Sequence, residues 1–292
     1  MKRTGRLAAV LAAIALLASC SATKLAYNRL DWLVAWEIGK YVDLDGPGKV
    51  RFKEGFASLW RWHRRTQLAA YAADLRELAG AVTGPLTREQ IEGYRQRANE
   101  HGERLVAEAL PAAAGVLAAL SDRQVAGLLG KMAEQRAEET GEDAERTPKQ
   151  TRELYARNAT RGLKRWLGSA TDAQSALVRE WAAARRDDPA LWQRYGEQWA
   201  QALEGTLAAR AEPGFEARLR AVLDDPALPD RDAVRELTEH NRRAYVDLLA
   251  ALSPTLTEAQ RRHLRERLLD LAEDFEDLTG QRRRAAAGGA IG

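Results

Sequence analysis

The sequence predicts an all-α protein, a multi-helix bundle of about ten or eleven helices with no sheet. Apolar residues recur at three- and four-residue spacings along most of the 292-residue chain, as expected of helices that bury one face. Five segments begin with Thr or Ser and carry Gln three residues later, which is the pattern of a helix-capping box. These segments begin at Thr87, Ser121, Thr147, Thr171 and Thr257.

Residues 1–19 have the composition of a bacterial export signal. Lys2, Arg3 and Arg6 give a basic start, and residues 7–18 form a short apolar segment. This segment is too short to span a bilayer, which needs about 20 apolar residues. We therefore predict that residues 1–19 are a cleaved signal peptide and take no part in the fold.

Cys20 is the only cysteine of the chain, and Leu17-Ala18-Ser19 precedes it. This order resembles the lipobox of bacterial lipoproteins, which implies that Cys20 carries a diacylglyceryl thioether and becomes an acylated amino terminus. In Gram-negative lipoproteins, Asp after the cysteine tends to retain the protein in the inner membrane. Because Ser21 stands there, the resemblance implies the periplasmic face of the outer membrane. The alternative is a plain secreted protein with a buried thiol.

Removal of the signal peptide balances the charge of the chain. The full sequence has 45 Lys and Arg against 42 Asp and Glu, and Lys2, Arg3 and Arg6 are the only charged residues of the signal. The mature chain therefore offers no net positive charge for nucleic acid, and we predict no nucleic-acid partner. With Cys20 lipidated, no thiol would remain for a disulfide, a metal ion or nucleophilic catalysis.

A short tether and an aromatic helix follow the predicted anchor. Residues 20–24 comprise the lipidated cysteine and the tether, and residues 21–24 reach only about 15 Å when extended, so the body should lie close to the membrane. A first helix is predicted over residues 25–40 and is apolar nearly all round, which is typical of a central helix. We expect Trp32 and Trp36 in the core; the alternative is that both lie in the lipid interface.

The second predicted helix, residues 49–82, carries the candidate binding surface. Trp60 and Trp62 project about 200° apart on a helix, so both can hardly share one core. One hypothesis is a stacking surface for a glycan strand or a protein, formed by Trp60, Trp62, His63, Arg64 and Arg65. The alternative, which we favour, is that Trp60 lies on the buried face with Phe56 while Trp62 packs on a neighbouring helix.

The remaining helices complete a predicted body of residues 25–280. The capping boxes begin five of them, and Asp188 and Asp230 are further candidate caps. Residues 140–146 are polar without apolar anchors. They either divide the body near residues 140–147 or, as we favour, cross its surface. Residues 281–292 are predicted to be a disordered tail with basic residues followed by Ala and Gly.

No catalytic or metal-binding pattern is present in the sequence. The four histidines, His63, His101, His240 and His263, are scattered, and none belongs to a His-Glu-x-x-His motif. No serine lies in Gly-x-Ser-x-Gly, and no glycine-rich phosphate loop is found. We therefore predict no cofactor, no metal site and no enzymatic activity.

Two families share motifs with this chain. The sequence resembles an uncharacterised family of Gram-negative lipoproteins, a domain of unknown function (DUF6279-like). The resemblance rests on the Cys20 lipobox, Tyr27-Asn28, Leu30-Asp31-Trp32-Leu33, Trp36 and Trp62-His63. A second resemblance is to periplasmic stress chaperones with a Leu-Thr-x-x-Gln motif, although those proteins are shorter helical dimers. The matching segments are Leu86 to Gln90 and Leu256 to Gln260, and nearly Leu120 to Gln124.

Three functions are compatible with these features. The first is a non-enzymatic lipoprotein, attached to the membrane through its lipid, that binds an envelope protein or polymer. The second, suggested by the Leu-Thr-x-x-Gln segments, is a periplasmic chaperone or stress sensor. The third is an envelope hydrolase, which would need a cleft with paired carboxylates or clustered histidines. The sequence does not fix an oligomeric state.

Overall fold

A computed structural model describes residues 24, 26–144, 146–224 and 226–280. Within these ranges the chain forms eleven α-helices and no strand, which confirms the all-α prediction. The helices are α1 (Leu30–Gly39), α2 (Gly46–Trp62), α3 (Leu68–Ala81), α4 (Arg88–Ala118), α5 (Asp122–Ala144), α6 (Pro148–Leu167), α7 (Asp172–Ala184), α8 (Pro189–Ala208), α9 (Phe215–Asp224), α10 (Arg231–Leu252) and α11 (Glu258–Thr279). The predicted signal peptide, Cys20 and the tail lie outside the described residues.

All five predicted capping boxes begin helices. In each box the backbone N–H of the Gln donates to the Thr or Ser hydroxyl oxygen at 3.2–3.3 Å. The Gln Oε1 accepts in return from the backbone N–H of the capping residue at 2.8–3.0 Å. Asp188 also caps its helix, by accepting from Leu191 N at 2.9 Å. Asp230 precedes α10 without capping it, because its carboxylate accepts from Arg194 and Gln198.

The helices pack around several apolar clusters. The most extensive contact is between α3 and α11, which are distant in sequence. One large cluster joins α4, α5, α8 and α9 around Leu110, Leu207 and Leu219. A second large cluster joins the start of the chain to α3 and α11, and Tyr27, Leu30, Leu68, Ala72, Ala272, Phe275 and Leu278 form it.

The polar segment 140–146 is mostly helical. Residues 140–144 continue α5. A division of the body near residues 140–147, or a crossing of its surface there, stays a prediction. Helices that precede residue 145 contact helices that follow it: α5 contacts α8, and α4 contacts α10.

The first helix lies at the surface of the bundle. It begins at Leu30, and Leu30 is its one buried residue. Trp32 and Trp36 are 61% and 55% exposed, so the prediction that they belong to the core is wrong. Leu33, Val34 and Ile38 pack against the two large apolar clusters, and among the described residues no helix covers the opposite face with Trp32 and Trp36. Because the sequence of this helix is apolar on every side, it does not indicate which side the neighbouring helices cover.

Candidate functional site

A π-helix interrupts the second predicted helix at its centre. His63–Gln67 form this wider turn between α2 and α3, and the three segments make one continuous helix. The Thr66 hydroxyl donates to the Trp62 carbonyl at 2.8 Å, which satisfies an acceptor beside the widened turn. Because the turn holds an extra residue, His63, Gln67 and Leu68 all face the interior. Such single π turns are frequent at functional sites.

A stack of aromatic rings lies against this turn. The Trp60 ring contacts both Tyr27, at 4.0 Å between ring centres, and His63, at 5.4 Å and nearly parallel, and the Tyr27 and His63 rings are 6.0 Å apart. Phe56 extends the stack at 5.5 Å from Trp60. Tyr71 closes it with an edge contact to the His63 ring at 5.5 Å. Ring pairs at these separations add to the stabilisation that burial provides.

Tyr27 and His63 share a buried hydrogen bond. The Tyr27 hydroxyl lies 3.0 Å from His63 Nδ1. Burial lowers the pKa of His63 to about 4, and burial also raises the pKa of Tyr27 above its usual range. At neutral pH both groups are therefore uncharged, whichever of the two donates the proton. The pair therefore supplies no charge to a ligand at neutral pH.

A polar network continues from the stack towards α4. The Tyr71 ring meets the edge of His101 at 4.6 Å, and burial raises the pKa of Tyr71 to about 12. His101 Nε2 lies 2.7 Å from Asp74 Oδ2. Arg97 lies 3.4 Å from the same carboxylate and donates to Glu77 at 2.7 Å. This network joins α3 to α4 through ion pairs and hydrogen bonds.

The five residues of the predicted binding surface lie at different depths. His63 is buried, Trp60, Trp62 and Arg64 are half-buried, and Arg65 is exposed. Trp60 lies on the buried face with Phe56, as the alternative interpretation expected. Arg64 donates to Asn28 Oδ1 at 3.0 Å and lies 5.3 Å from the Tyr27 ring centre. A role of these five residues in binding stays a prediction.

The start of the described chain is fixed onto the last helix. Lys24 Nζ contacts Asp277 Oδ2 at 2.5 Å and Asp274 Oδ1 at 3.4 Å. The hydrogen bond to Asp277 raises the pKa of Lys24. Tyr27 and Leu30, both buried, follow within two turns. Lys24 and residues 26–30 are therefore part of the folded body, which the sequence alone does not reveal because the partners of Lys24 are about 250 residues away.

Neither a metal site nor a membrane span is found in the described part of the chain. No group of three or more His, Cys, Asp or Glu side chains there is arranged to hold a metal ion. Among the same residues, no helix is both long enough and apolar enough to cross a membrane.

Comparison with known proteins identifies a family without an assigned activity. No curated protein and no solved structure matches the chain. Residues 40–228, which are more than half of the chain, match the model of a family of unknown function (DUF6279), and the chain belongs to this family.

Proposed function

We propose that this protein is a non-enzymatic lipoprotein, anchored through Cys20 to the periplasmic face of the outer membrane, whose helical body binds an envelope protein or polymer close to the lipid surface. One observation carries the proposal beyond the lipobox itself. Lys24, only four residues after Cys20, already belongs to the folded body, because it is ion-paired with Asp274 and Asp277.

A short tether restricts what such a body can reach. Residues 21–24 span at most about 15 Å, which is far less than the length of α4. With 31 residues, α4 is about 46 Å long. A body of this size on so short a tether stays against the membrane instead of sampling the periplasm. This geometry suits a protein that holds a partner at the membrane.

The anchor is tested by replacing the proposed lipidated residue. Wild-type cells should incorporate radioactive palmitate into the protein, and density-gradient separation should place it in the outer-membrane fraction. Cys20→Ala should incorporate no palmitate and leave that fraction. Ser21→Asp is the matched variant: it keeps the anchor and should move the protein to the inner membrane. Equal solubility of wild type and Cys20→Ala would refute the anchor.

The binding role is tested by crosslinking in living cells with the lipidated wild-type protein, followed by mass spectrometry of the captured molecules. One dominant envelope partner, lost in Cys20→Ala, would support a dedicated binding protein. A broad set of unfolded exported proteins that increases under envelope stress would instead support the chaperone suggested by the Leu-Thr-x-x-Gln segments.

A further inference from the structure

The exposed face of α1 carries two tryptophans next to each other. Trp32 and Trp36 are separated by one helical turn, and their rings stack at 6.4 Å with 15° between the planes. Trp32 is the most exposed large apolar side chain among the described residues, at 61%, and Trp36 follows at 55%, level with Val50. Exposure of two adjacent indoles is costly in water, so a surface of this kind indicates an apolar or interfacial environment.

Basic side chains flank the tryptophans along the same face. Trp32, Trp36 and Lys40 project within about 80° of one another, and the exposed Arg29 lies one turn before Trp32. The Lys40 ammonium lies 3.6 Å from the centre of the Trp36 ring. Its neighbour Glu37 is ion-paired with it at 2.6 Å and adds no free negative charge. Indoles flanked by Lys or Arg are typical of helices at the lipid headgroup level.

The face lies close to the point where the proposed anchor joins the body. Lys24 is fixed on α11, and Trp32 and Trp36 follow it by only 8 and 12 positions, two and six positions after the start of α1. The chain between Cys20 and Lys24 adds at most about 15 Å. A bilayer that holds the lipid of Cys20 is therefore close to both indoles along the chain.

We propose that Trp32 and Trp36 insert into the lipid headgroup region beside the anchor and fix the orientation of the helical body on the membrane. The proposal rests on the lipid anchor proposed above, and it commits to the bilayer as the occupant of this face. A lipid anchor at one residue attaches a protein but leaves it free to rotate on its tether. A second contact with the lipid interface, made by Trp32 and Trp36, holds one side of the body against the membrane.

The depth of the α1 face can be measured with a spin label in the lipidated full-length protein. Cys20 is the only native cysteine, so a lipidated chain has no reactive thiol and an introduced cysteine is the only labelled site. We would label Ala35→Cys, which is exposed next to Trp36, and the control Val106→Cys, which is exposed on α4. The protein is reconstituted into vesicles of phosphatidylethanolamine and phosphatidylglycerol, and the accessibility of each label to oxygen and to a water-soluble nickel complex is compared.

The expected result is a label at residue 35 that is rich in oxygen contacts and several-fold less accessible to nickel than the label at residue 106. In a Trp32→Ser/Trp36→Ser background, the label at residue 35 should become as accessible to nickel as the control, while the protein stays bound to the vesicles. Because both indoles are exposed, this double variant should unfold at the same denaturant concentration as wild type.

Three results would overturn the proposal, and they differ from failure of the anchor. Equal nickel accessibility at both sites with the tryptophans present would exclude insertion while leaving the anchor intact. Dipolar broadening of the label at residue 35 would show a second copy of the chain on this face. Unchanged oxygen access in the double variant would show that the tryptophans are not responsible. Failure of the anchor would be visible instead as labelling of Cys20 and absence of the protein from the vesicles.

Discussion

His63 is held in the protein interior as a neutral imidazole. The parallel Trp60 ring covers one of its faces, the Tyr71 edge approaches it, and the Tyr27 hydroxyl is its polar partner. No charged side chain donates to or accepts from His63 in the described structure, so burial alone sets its pKa of about 4. The aromatic stack is therefore stable only while the His63 imidazole is unprotonated.

This predicts a loss of stability in mild acid. The unfolded chain binds a proton at His63 below pH of about 6.5, whereas the folded chain does so only near pH 4. Between these values the unfolded state holds more protons, so the free energy of unfolding falls as pH falls, by up to about 3 kcal/mol. We expect urea unfolding at pH 7.5 and 4.5 to give a decrease about 2 kcal/mol larger for wild type than for His63→Gln. Titration of the carboxylates lowers the free energy of unfolding of both proteins, so this effect cancels when the two decreases are compared. Identical decreases would show that His63 is protonated in the folded protein.

Gln174 and Gln260 form a buried polar pair between two helix starts. Each belongs to a capping box, and each Nε2 donates to the other's Oε1 at 2.9 Å. The two residues are 0% and 2% exposed. Their remaining donors reach the carbonyls of Thr255 and Ser169 at 3.2 Å. The same Thr-x-x-Gln motif therefore starts each helix and also locks α7 to α11.

We predict that Gln174→Leu destabilises the protein more than the same change in an exposed capping box. It removes the cap contact and leaves the amide of Gln260 buried without its partner, for a combined cost of about 3 kcal/mol. Gln150→Leu is the matched control, because Gln150 makes the same cap contacts at the surface; it should cost about 1 kcal/mol. Urea denaturation of the full chain measures both. Equal losses would mean that the pair contributes nothing beyond capping.

At the scale of the elements, the sequence predicts where helices start better than it predicts which of their residues are buried. The five capping boxes were identifiable because Thr or Ser and Gln act within four residues. The π-helix also leaves a local signal: the buried stripe runs at three- and four-residue spacings but steps five residues from His63 to Leu68. The five-residue step arises because the π-helix of His63–Gln67 holds one residue more than an α-helical turn. The exposure of Trp32 and Trp36 has no such signal, because it depends on which helices lie beside α1.

The crossing of α2 and α4 requires Gly55. A Cβ placed on Gly55 would lie 2.8 Å from the Cβ of Ala112, a contact that no side-chain rotation relieves. Gly55→Ala should therefore separate the two helices and cost about 1–3 kcal/mol, despite the higher helix propensity of Ala. Gly102→Ala on α4 is the control: its added Cβ meets nothing within 4 Å, and it should gain up to about 1 kcal/mol. Thermal unfolding of the two variants should shift in opposite directions. A stabilised Gly55→Ala would show that the crossing is loose.

For the molecule as a whole, Lys24, Tyr27 and Leu30 join the first described residues to α11. Lys24 contacts the buried Asp274 and the half-buried Asp277, and Tyr27 and Leu30 enter the cluster that α3 and α11 form. If the lipid is attached at Cys20, any pull on the anchor acts directly on this cluster. Lys24, Tyr27 and Leu30 would then serve both folding and attachment.

Leu30 and Trp32 allow folding and attachment to be tested separately within one turn of α1, because Leu30 packs in the cluster and Trp32 lies on the exposed face. Leu30 is 2% exposed in the cluster with Phe275 and Leu278, so Leu30→Ala should lower the free energy of unfolding by about 2–5 kcal/mol. Trp32→Ala removes a larger side chain from the exposed face and should change it by less than about 0.5 kcal/mol. Urea unfolding of the full chain in solution measures both. A large loss in Trp32→Ala would mean that the indole stabilises the fold itself, and a small loss in Leu30→Ala would mean that the start of the chain detaches easily from α11. In that second case the tether would extend to Leu30 or beyond, and the body would no longer be held within about 15 Å of the membrane.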